Sequence, residues 1–242
     1  MLTELQDAYG RLIMDHWRGI KCTEIVERDD GYMDASGGPA DYFQTFDEMS
    51  DDTRKALSFV CGRTLDIGCG AGRHSLYLQS IGHQVVGIDI SPLAVEVCRE
   101  RGLNNVRVMS VVQIRPELGR FDSIIMFGNN LSLLGSPRRG PWLLKRLRRI
   151  VTDDGVIVGQ TRDPYQTDSP DHLVYQELNR RRGRMSGHVR IRIRYRIYKT
   201  PWFDYLFMSP DELAGLAEGT GWAVRETIPG ADGVYFAVLG KA

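Results

Sequence analysis

Apolar residues fall into short blocks that alternate between two periods. Leu2, Leu5, Tyr9, Leu12, Ile13 and Trp17 recur at helical spacing, so an amphipathic helix is expected near the start. Gly31 to Ala40, with Gly37, Gly38 and Pro39, reads as a loop, and the next helix is expected over Asp41–Phe59. From there strands and helices alternate. Strands are predicted at Thr64–Ile67, Val85–Ile88, Val106–Val112, Phe121–Phe127 and Val156–Gln160. Helices are predicted at Arg73–Ile81, Pro92–Arg101 and Pro141–Val151, with Pro92 suited to a first turn. This alternation implies right-handed crossovers and a doubly wound, mostly parallel sheet.

The C-terminal end breaks that rhythm. Ser209-Pro-Asp-Glu caps a helix running to about Glu218. Trp222–Ile228 and Val234–Gly240 are strands joined by Pro229-Gly-Ala-Asp-Gly233, a connection short enough only for a hairpin. The last strand is therefore antiparallel, which makes a seven-stranded α/β sheet. Between Thr161 and Met208 lies an insertion. In it Val189, Ile191, Ile193, Tyr195 and Ile197 alternate with Arg190, Arg192, Arg194 and Arg196, the period of a half-buried strand. Leu173–Leu178 and Trp202–Phe207 are its expected neighbours, forming a small antiparallel β lid. The expected organisation is an N-terminal helical cap over 1–58, and a nucleotide-binding domain over 59–242 with the lid at about 161–208.

Composition changes this picture little. Hydrophobic content of 42% and charged content of 26% suit a globular domain with a full core. The 31 basic and 31 acidic residues cancel, so no bulk field draws the chain to nucleic acid or membrane. No apolar run is long enough to span a bilayer, and the first residues lack a basic n-region and an apolar h-region. Cys22, Cys61, Cys69 and Cys98 form neither a C-x-x-C pair nor metal-ligand spacing. A cytoplasmic protein with reduced thiols and no metal is the expectation.

Locally, charge is uneven. Residues 179–203 hold nine Lys or Arg and no acid, whereas the first 60 residues hold 13 acids against 6 bases. An anionic acceptor or RNA on the arginine face is one reading. The other is a solvated sheet face, or arginines paired with the acidic N-terminal region or with a second subunit of a homodimer. Zero net charge favours the latter.

Chemistry concentrates at Thr64-Leu-Asp-Ile-Gly-Cys-Gly-Ala-Gly-Arg-His74. Gly68, Gly70 and Gly72 let the backbone approach a ligand, and the helix from Arg73 aims free N–H groups at it. Asp89 ends the next strand about 20 residues on, where a carboxylate meets ribose hydroxyls. A dinucleotide loop wants a third glycine where Arg73 stands. The pattern Asp66-x-Gly68-x-Gly70-x-Gly72 instead resembles the class I S-adenosylmethionine (SAM)-dependent methyltransferases, and the reversed last strand resembles their sheet. The resemblance covers about Phe59 to Lys241 apart from the insertion.

The resemblance implies SAM as cofactor and S-adenosylhomocysteine (SAH) as product. It places the loop at the methionine end of the cofactor, with Asp66 near the ammonium group, Asp89 and Ile90 at the ribose, and Arg73 facing the carboxylate or simply starting its helix. Cys69 is a small loop residue. Val111 and Val112 sandwich the adenine, and Gln113 stands where many relatives carry Asp. Phe127, Asn129 and Asn130 follow the fourth strand, where the family lines its methyl-transfer channel. Base methyltransferases carry [DN]-P-P-[YFW] there. Gly128-Asn-Asn-Leu-Ser132 departs from that, which argues for a small-molecule acceptor of the type used by the ubiquinone/menaquinone group.

No general base stands out. Asp163, His172, Tyr175, His188 and Tyr205 are candidates beside Asn129 and Asn130. Tyr32, Tyr42 and Phe43 belong to a segment able to fold over the cofactor. An RNA or protein methyltransferase using the arginine strand, and a non-catalytic SAM-binding subunit, are the alternatives.

Overall fold

The computed structural model describes residues 2–35 and 38–242. Ser36 and Gly37, part of the expected Gly31–Ala40 loop, lie outside the described residues. The strands are β1 (Ile25–Arg28), β2 (Met33–Ala35), β3 (Arg63–Ile67), β4 (Gln84–Asp89), β5 (Val106–Val108), β6 (Phe121–Met126), β7 (Val151–Arg162), β8 (His188–Tyr195), β9 (Tyr198–Lys199), β10 (Phe203–Leu206), β11 (Trp222–Pro229) and β12 (Val234–Lys241). The α-helices are α1 (Ala8–Trp17), α2 (Asp51–Leu57), α3 (Arg73–Ser80), α4 (Pro92–Glu100), α5 (Arg139–Arg148), α6 (Pro170–Arg181) and α7 (Pro210–Ala217).

Seven strands make the main sheet, in the order β11-β12-β7-β6-β3-β4-β5. The pairs β3/β4, β4/β5 and β6/β7 are parallel, while β12 runs antiparallel to both β7 and β11. The expected α/β architecture with a reversed last strand is therefore present. A second sheet has the order β10-β8-β1-β2, with β9 also on β8.

The chain divides into two compact units. The first comprises residues up to Met49, 63–113 and 191–203; the second comprises 50–62, 114–190 and 204–242. In the first, the β4 and β5 interior is apolar, with Cys69, Val95, Cys98, Leu103 and Val106 packed together. Helix α1 docks through Asp7, whose buried carboxylate accepts from Gly10 N (3.1 Å) and from Leu93 N at the start of α4 (3.2 Å). One side chain thus serves the orphan N–H groups of two helix ends.

The alternating arginine strand pairs with an element not expected in the N-terminal segment. β1 runs antiparallel to β8 with Glu27 opposite Arg192. Arg192 grips Glu27 with two hydrogen bonds, of 2.7 and 2.8 Å, and Arg194 adds a third at 3.2 Å. The Arg192 hydrogen bonds hold the Glu27 carboxyl below its usual range, against the opposing effect of burial. Arg192 also stacks 4.4 Å from the Trp202 ring centroid. Arg196 pairs with Asp15 at 3.3 Å.

In the second unit, Trp222 donates to Leu144 O (2.9 Å) and Tyr235 to Met208 O (2.9 Å), tying the terminal hairpin to the elements under it. Arg190 pairs with Asp204 at 3.3 Å. The capping box at Ser209 and Glu212 forms as expected.

Three expectations are corrected. Leu173–Leu178 is not a strand but the middle of α6. Ser169 and Pro170 open the helix, and Glu177 pairs with Arg180 and Arg181 one turn on. Asp41–Phe59 is not one helix. Thr45 and Ser50 adopt extended N-cap conformations that restart the chain, giving 3₁₀ turns at Pro39–Phe43 and Phe46–Glu48 before α2. The strand expected to reach Val112 ends at Val108, and Val111–Gln113 is a 3₁₀ turn.

Candidate functional site

Two loops gather the candidate residues, one in each unit. The first follows β3. All three of its glycines have left-handed backbone, and Gly70, at φ +56°, decides the shape. A Cβ there would stand 2.6 Å from the Tyr9 hydroxyl, so α1 is able to lie against the loop only because residue 70 is glycine. Asp89, at the end of β4, accepts from Gly70 N (3.0 Å) and Ser91 N (2.9 Å). A carboxylate offers about four lone-pair sites, so capacity for ribose hydroxyls remains. Burial raises the Asp89 pKa to about 6, opposed by the Ser91 and Gly70 amides. Further donors favour its ionised form.

Asp66 is buried on β3 and accepts from Ser75 Oγ at 2.7 Å. Burial raises it to about 7, and a ligand ammonium group beside it acts in the opposite direction. Cys69 points into the core among Val95 and Cys98, where its raised pKa marks a packing residue. Arg73 turns to the N-terminal segment, donating to Asp41 O (2.6 Å) and Gln44 Oε1 (2.9 Å). Tyr42 packs edge-on against Tyr9, with its hydroxyl on Glu24 Oε2 at 3.0 Å.

Ile90, just past β4, is 47% exposed, and Val112, in the 3₁₀ turn that follows β5, is 40% exposed. Bared aliphatic side chains and a buried carboxylate suit a flat apolar ring and a sugar. Val111 is instead buried, and Gln113 folds back to accept from Ser110 N (2.9 Å). These features fit an adenosine cofactor: a close backbone approach, a carboxylate with spare acceptor capacity, and bared apolar flanks.

The second loop follows β6. Phe127 is buried edge-on against Phe236 at 4.9 Å. Gly128 and Asn129 then both adopt left-handed backbone, and both amides donate to Gln160 Oε1, at 2.6 and 3.3 Å. Asn130 Oδ1 accepts from the Tyr205 hydroxyl at 2.8 Å. Asn129 Oδ1 is buried and has no hydrogen-bond partner.

The structure thus joins Tyr205 to Asn130 and the Asn129 backbone to Gln160. The other candidates lie elsewhere in the unit. Asp163 accepts from Tyr165 N (2.9 Å), and His172 meets Thr167 (3.2 Å). Tyr175 accepts from Arg190 N (3.3 Å), and His188 faces Asp204 (3.6 Å). Gln160, Tyr9 and Ser75 were missed in the sequence. Gln160 had a signal, being polar at the end of an apolar strand; Tyr9 looked like one more apolar position of an amphipathic helix. Among the described residues no group of His, Cys, Asp or Glu has the makings of a metal site, and no helix is long and apolar enough to cross a membrane.

A family model described as a methyltransferase domain matches residues 64–155. Among curated proteins, the 2-heptyl-1-hydroxyquinolin-4(1H)-one methyltransferase of Mycobacteroides abscessus is 40% identical over 72 residues, 27% of this chain and 32% of that one. The ubiquinone biosynthesis O-methyltransferase of Xanthomonas oryzae is 38% identical over 74 residues, 28% and 31% of the two chains. The matched stretch spans about a third of these relatives' length. Among solved structures, a SAM-dependent methyltransferase from Bacteroides fragilis in complex with SAH superposes with a TM-score of 0.85 and 27% identity, over 100% of this chain and 98% of that one. The CcbJ methyltransferase of Streptomyces caelestis, at TM-score 0.62 and 15% identity over 81% and 94%, shares the fold.

Proposed function

We propose that the chain is a class I SAM-dependent methyltransferase, as its similarity in sequence and fold to such enzymes supports, and that it transfers a methyl group from SAM to an oxygen, nitrogen or carbon of a small molecule. The observation that carries this reading is the Asp89 carboxylate, with acceptor capacity to spare, beside a loop that admits no side chain at Gly70. The similarity in fold and sequence to a protein crystallised with SAH supports it.

Bound SAM supplies an electrophilic methyl on a sulfonium. The acceptor's electron pair would take up the methyl carbon, the C–S electron pair would stay with sulfur, and the acceptor would lose its proton. The chain's own work is to bind and orient. Asp89 would accept from the ribose, Ile90 and Val112 would flank the adenine, and Asp66 would face the ammonium group. Orientation with exclusion of water supplies much of the acceleration in such a transfer.

Both curated relatives are named as small-molecule enzymes, one for a hydroxyquinolinone and one for O-methylation. An RNA-directed reading is disfavoured because Arg190, Arg192, Arg194 and Arg196 each pair with a carboxylate of this chain. Incubation with methyl-labelled SAM and a fractionated small-molecule extract tests the proposal. A labelled metabolite and calorimetric SAH binding are expected. SAH binding with no labelled metabolite would overturn the small-molecule reading in favour of a binding subunit or a macromolecular acceptor.

A further inference from the structure

We propose that helix α6 is the contact surface of a homodimer, in which the α6 helices of two copies of this chain pack antiparallel across a two-fold axis. This surface plays no part in the methyl-transfer reading above.

Helix α6 is polar toward its own protein and apolar toward solvent. Its buried residues are Tyr175, Gln176 and Asn179. The two amides hold loop carbonyls: Gln176 Nε2 donates to Pro164 O (2.6 Å), and Asn179 Nδ2 donates to Ser186 O (3.2 Å) and His188 O (2.6 Å). Outward, Leu173 is 46% and Val174 70% exposed, and Leu178 is half-buried. Pro170, Leu173, Val174, Glu177, Leu178 and Arg181 stand at i, i+3, i+4, i+7, i+8 and i+11, which is one stripe of a helix. A stripe of that pattern ordinarily faces a core. Here it faces water, and an exposed apolar stripe rimmed by charge marks a surface that another molecule covers. The acid within it is already neutralised, since Glu177 pairs with Arg180 (2.8 Å) and Arg181 (3.0 Å).

The charges at the two ends point to a second copy as the occupant. Asp168 and Asp171 are exposed at the N-terminal end, and Arg181, Arg182 and Arg184 at the C-terminal end. With the two-fold axis at Gln176, Val174 meets the partner's Leu178, Asp171 meets the partner's Arg181, and Asp168 meets the partner's Arg184. An isologous interface repeats every contact, so apolar meets apolar and acid meets base twice over. A uniformly charged surface, such as nucleic acid or an anionic membrane, meets repulsion at Asp168 and Asp171 instead. The helix has 12 residues, about 18 Å of length. One such pair covers less than the roughly 800 Å² per partner of a standard interface. The dimer is therefore reversible, with a dissociation constant between about 1 μM and 1 mM.

Sedimentation velocity of the full chain across that concentration range tests the proposal, with circular dichroism as the check on folding. Wild type should pass from monomer to dimer. Val174→Asp puts a charge at the apolar centre and should stay monomeric. Arg181→Glu and Asp171→Arg each set like charges opposite one another, and each alone should dimerise at least about tenfold more weakly. Mixed in equal amounts, these two variants set acid against base at both ends again and should dimerise like wild type. That recovery belongs to an antiparallel two-fold pair and does not arise from misfolding, so the mixture decides the matter even if Val174→Asp fails to fold. Wild type that remains monomeric to about 1 mM overturns the proposal and leaves the stripe to a different partner. Dimerisation undiminished in folded Val174→Asp or in the single charge variants places the interface elsewhere and also overturns it, as does a mixture that stays monomeric.

Discussion

The loop after β3 and the loop after β6 solve the same geometric problem with different chemistry. Each leaves the carboxyl end of a parallel strand and turns through left-handed backbone, at Gly70 in one and at Gly128 and Asn129 in the other. The first is built around buried carboxylates, Asp66 and Asp89, whose ionisation burial opposes. The second is built around neutral amides, Asn129, Asn130 and Gln160. A ligand with fixed charges, such as an amino-acid nucleoside, is matched by acids. An acceptor that loses only a proton needs orientation more than charge. The contrast also separates what each loop costs the unliganded protein: ionisation energy in one, an unpaired carbonyl in the other.

The strongest expected effect separating the loops is in pH dependence. An unfolded Asp66 ionises near 3.8, but the folded one holds its proton to about 7. Between those values the folded state binds a proton that the unfolded state has released, so this group's effect is to lower stability as pH rises, fully by about pH 7. Urea unfolding of wild type and Asp66→Asn from pH 4 to 8 should show wild type losing on the order of 4 kcal/mol relative to the variant. Parallel pH curves would remove the electrostatic half of the contrast.

Next is ligand affinity. Asp89→Ala should weaken SAH binding by about 1.5–3 kcal/mol, the worth of a charge-assisted hydrogen bond. Undiminished binding by calorimetry would show that the carboxylate serves only Gly70 and Ser91.

A matched glycine pair is more selective. Gly70→Ala and Gly128→Ala both place a Cβ on left-handed backbone, at about 1–2 kcal/mol. Only at Gly70 does it meet an obstacle, the Tyr9 hydroxyl; nothing lies within 4 Å of the same atom at Gly128. Thermal unfolding should rank Gly70→Ala as the worse variant. Adding Tyr9→Phe should recover part of the deficit there and none in Gly128→Ala.

The smallest effect is Gln160→Leu. It deprives two amides of their acceptor, but water reaches exposed Gly128, so about 1 kcal/mol of stability is expected to go. Methyl-transfer rate should drop further than stability implies, with SAH affinity unchanged. An unchanged rate would mean that the loop holds itself.

The two loops also differed in how legible they were. Gly68, Gly70, Gly72 and Asp89 stood out because their spacing lies within one local β-turn-α-β run. The terminal hairpin stood out for the same reason, since Pro229–Gly233 permits only one connection. Gln160 did not, because its partners lie over thirty residues earlier. β1 was hidden for a related reason. Four residues, Ile25-Val-Glu-Arg28, are too few for a period to show, and what makes them a strand is the arginine register far along the chain. α6 was misread because Leu173-Val174-Tyr175 favours a strand locally. Leu173 and Val174 are 46% and 70% exposed, so burial never rewarded the alternative, and the Ser169-Pro170 start prevailed.

The bond between Glu27 and Arg192 joins residues 165 positions apart. During synthesis the first of these emerges long before the second. At ordinary translation rates the acidic strand β1 waits roughly 10–30 s for its basic partner. Until then Ile25 and Val26 lack the neighbouring strand that pairs with them in the finished protein. The segment that carries Tyr9 and Tyr42 is therefore made well before β8 and finished only with it. Newly made protein should acquire its arginine strand β8 and the completed sheet around β1 in a single late step.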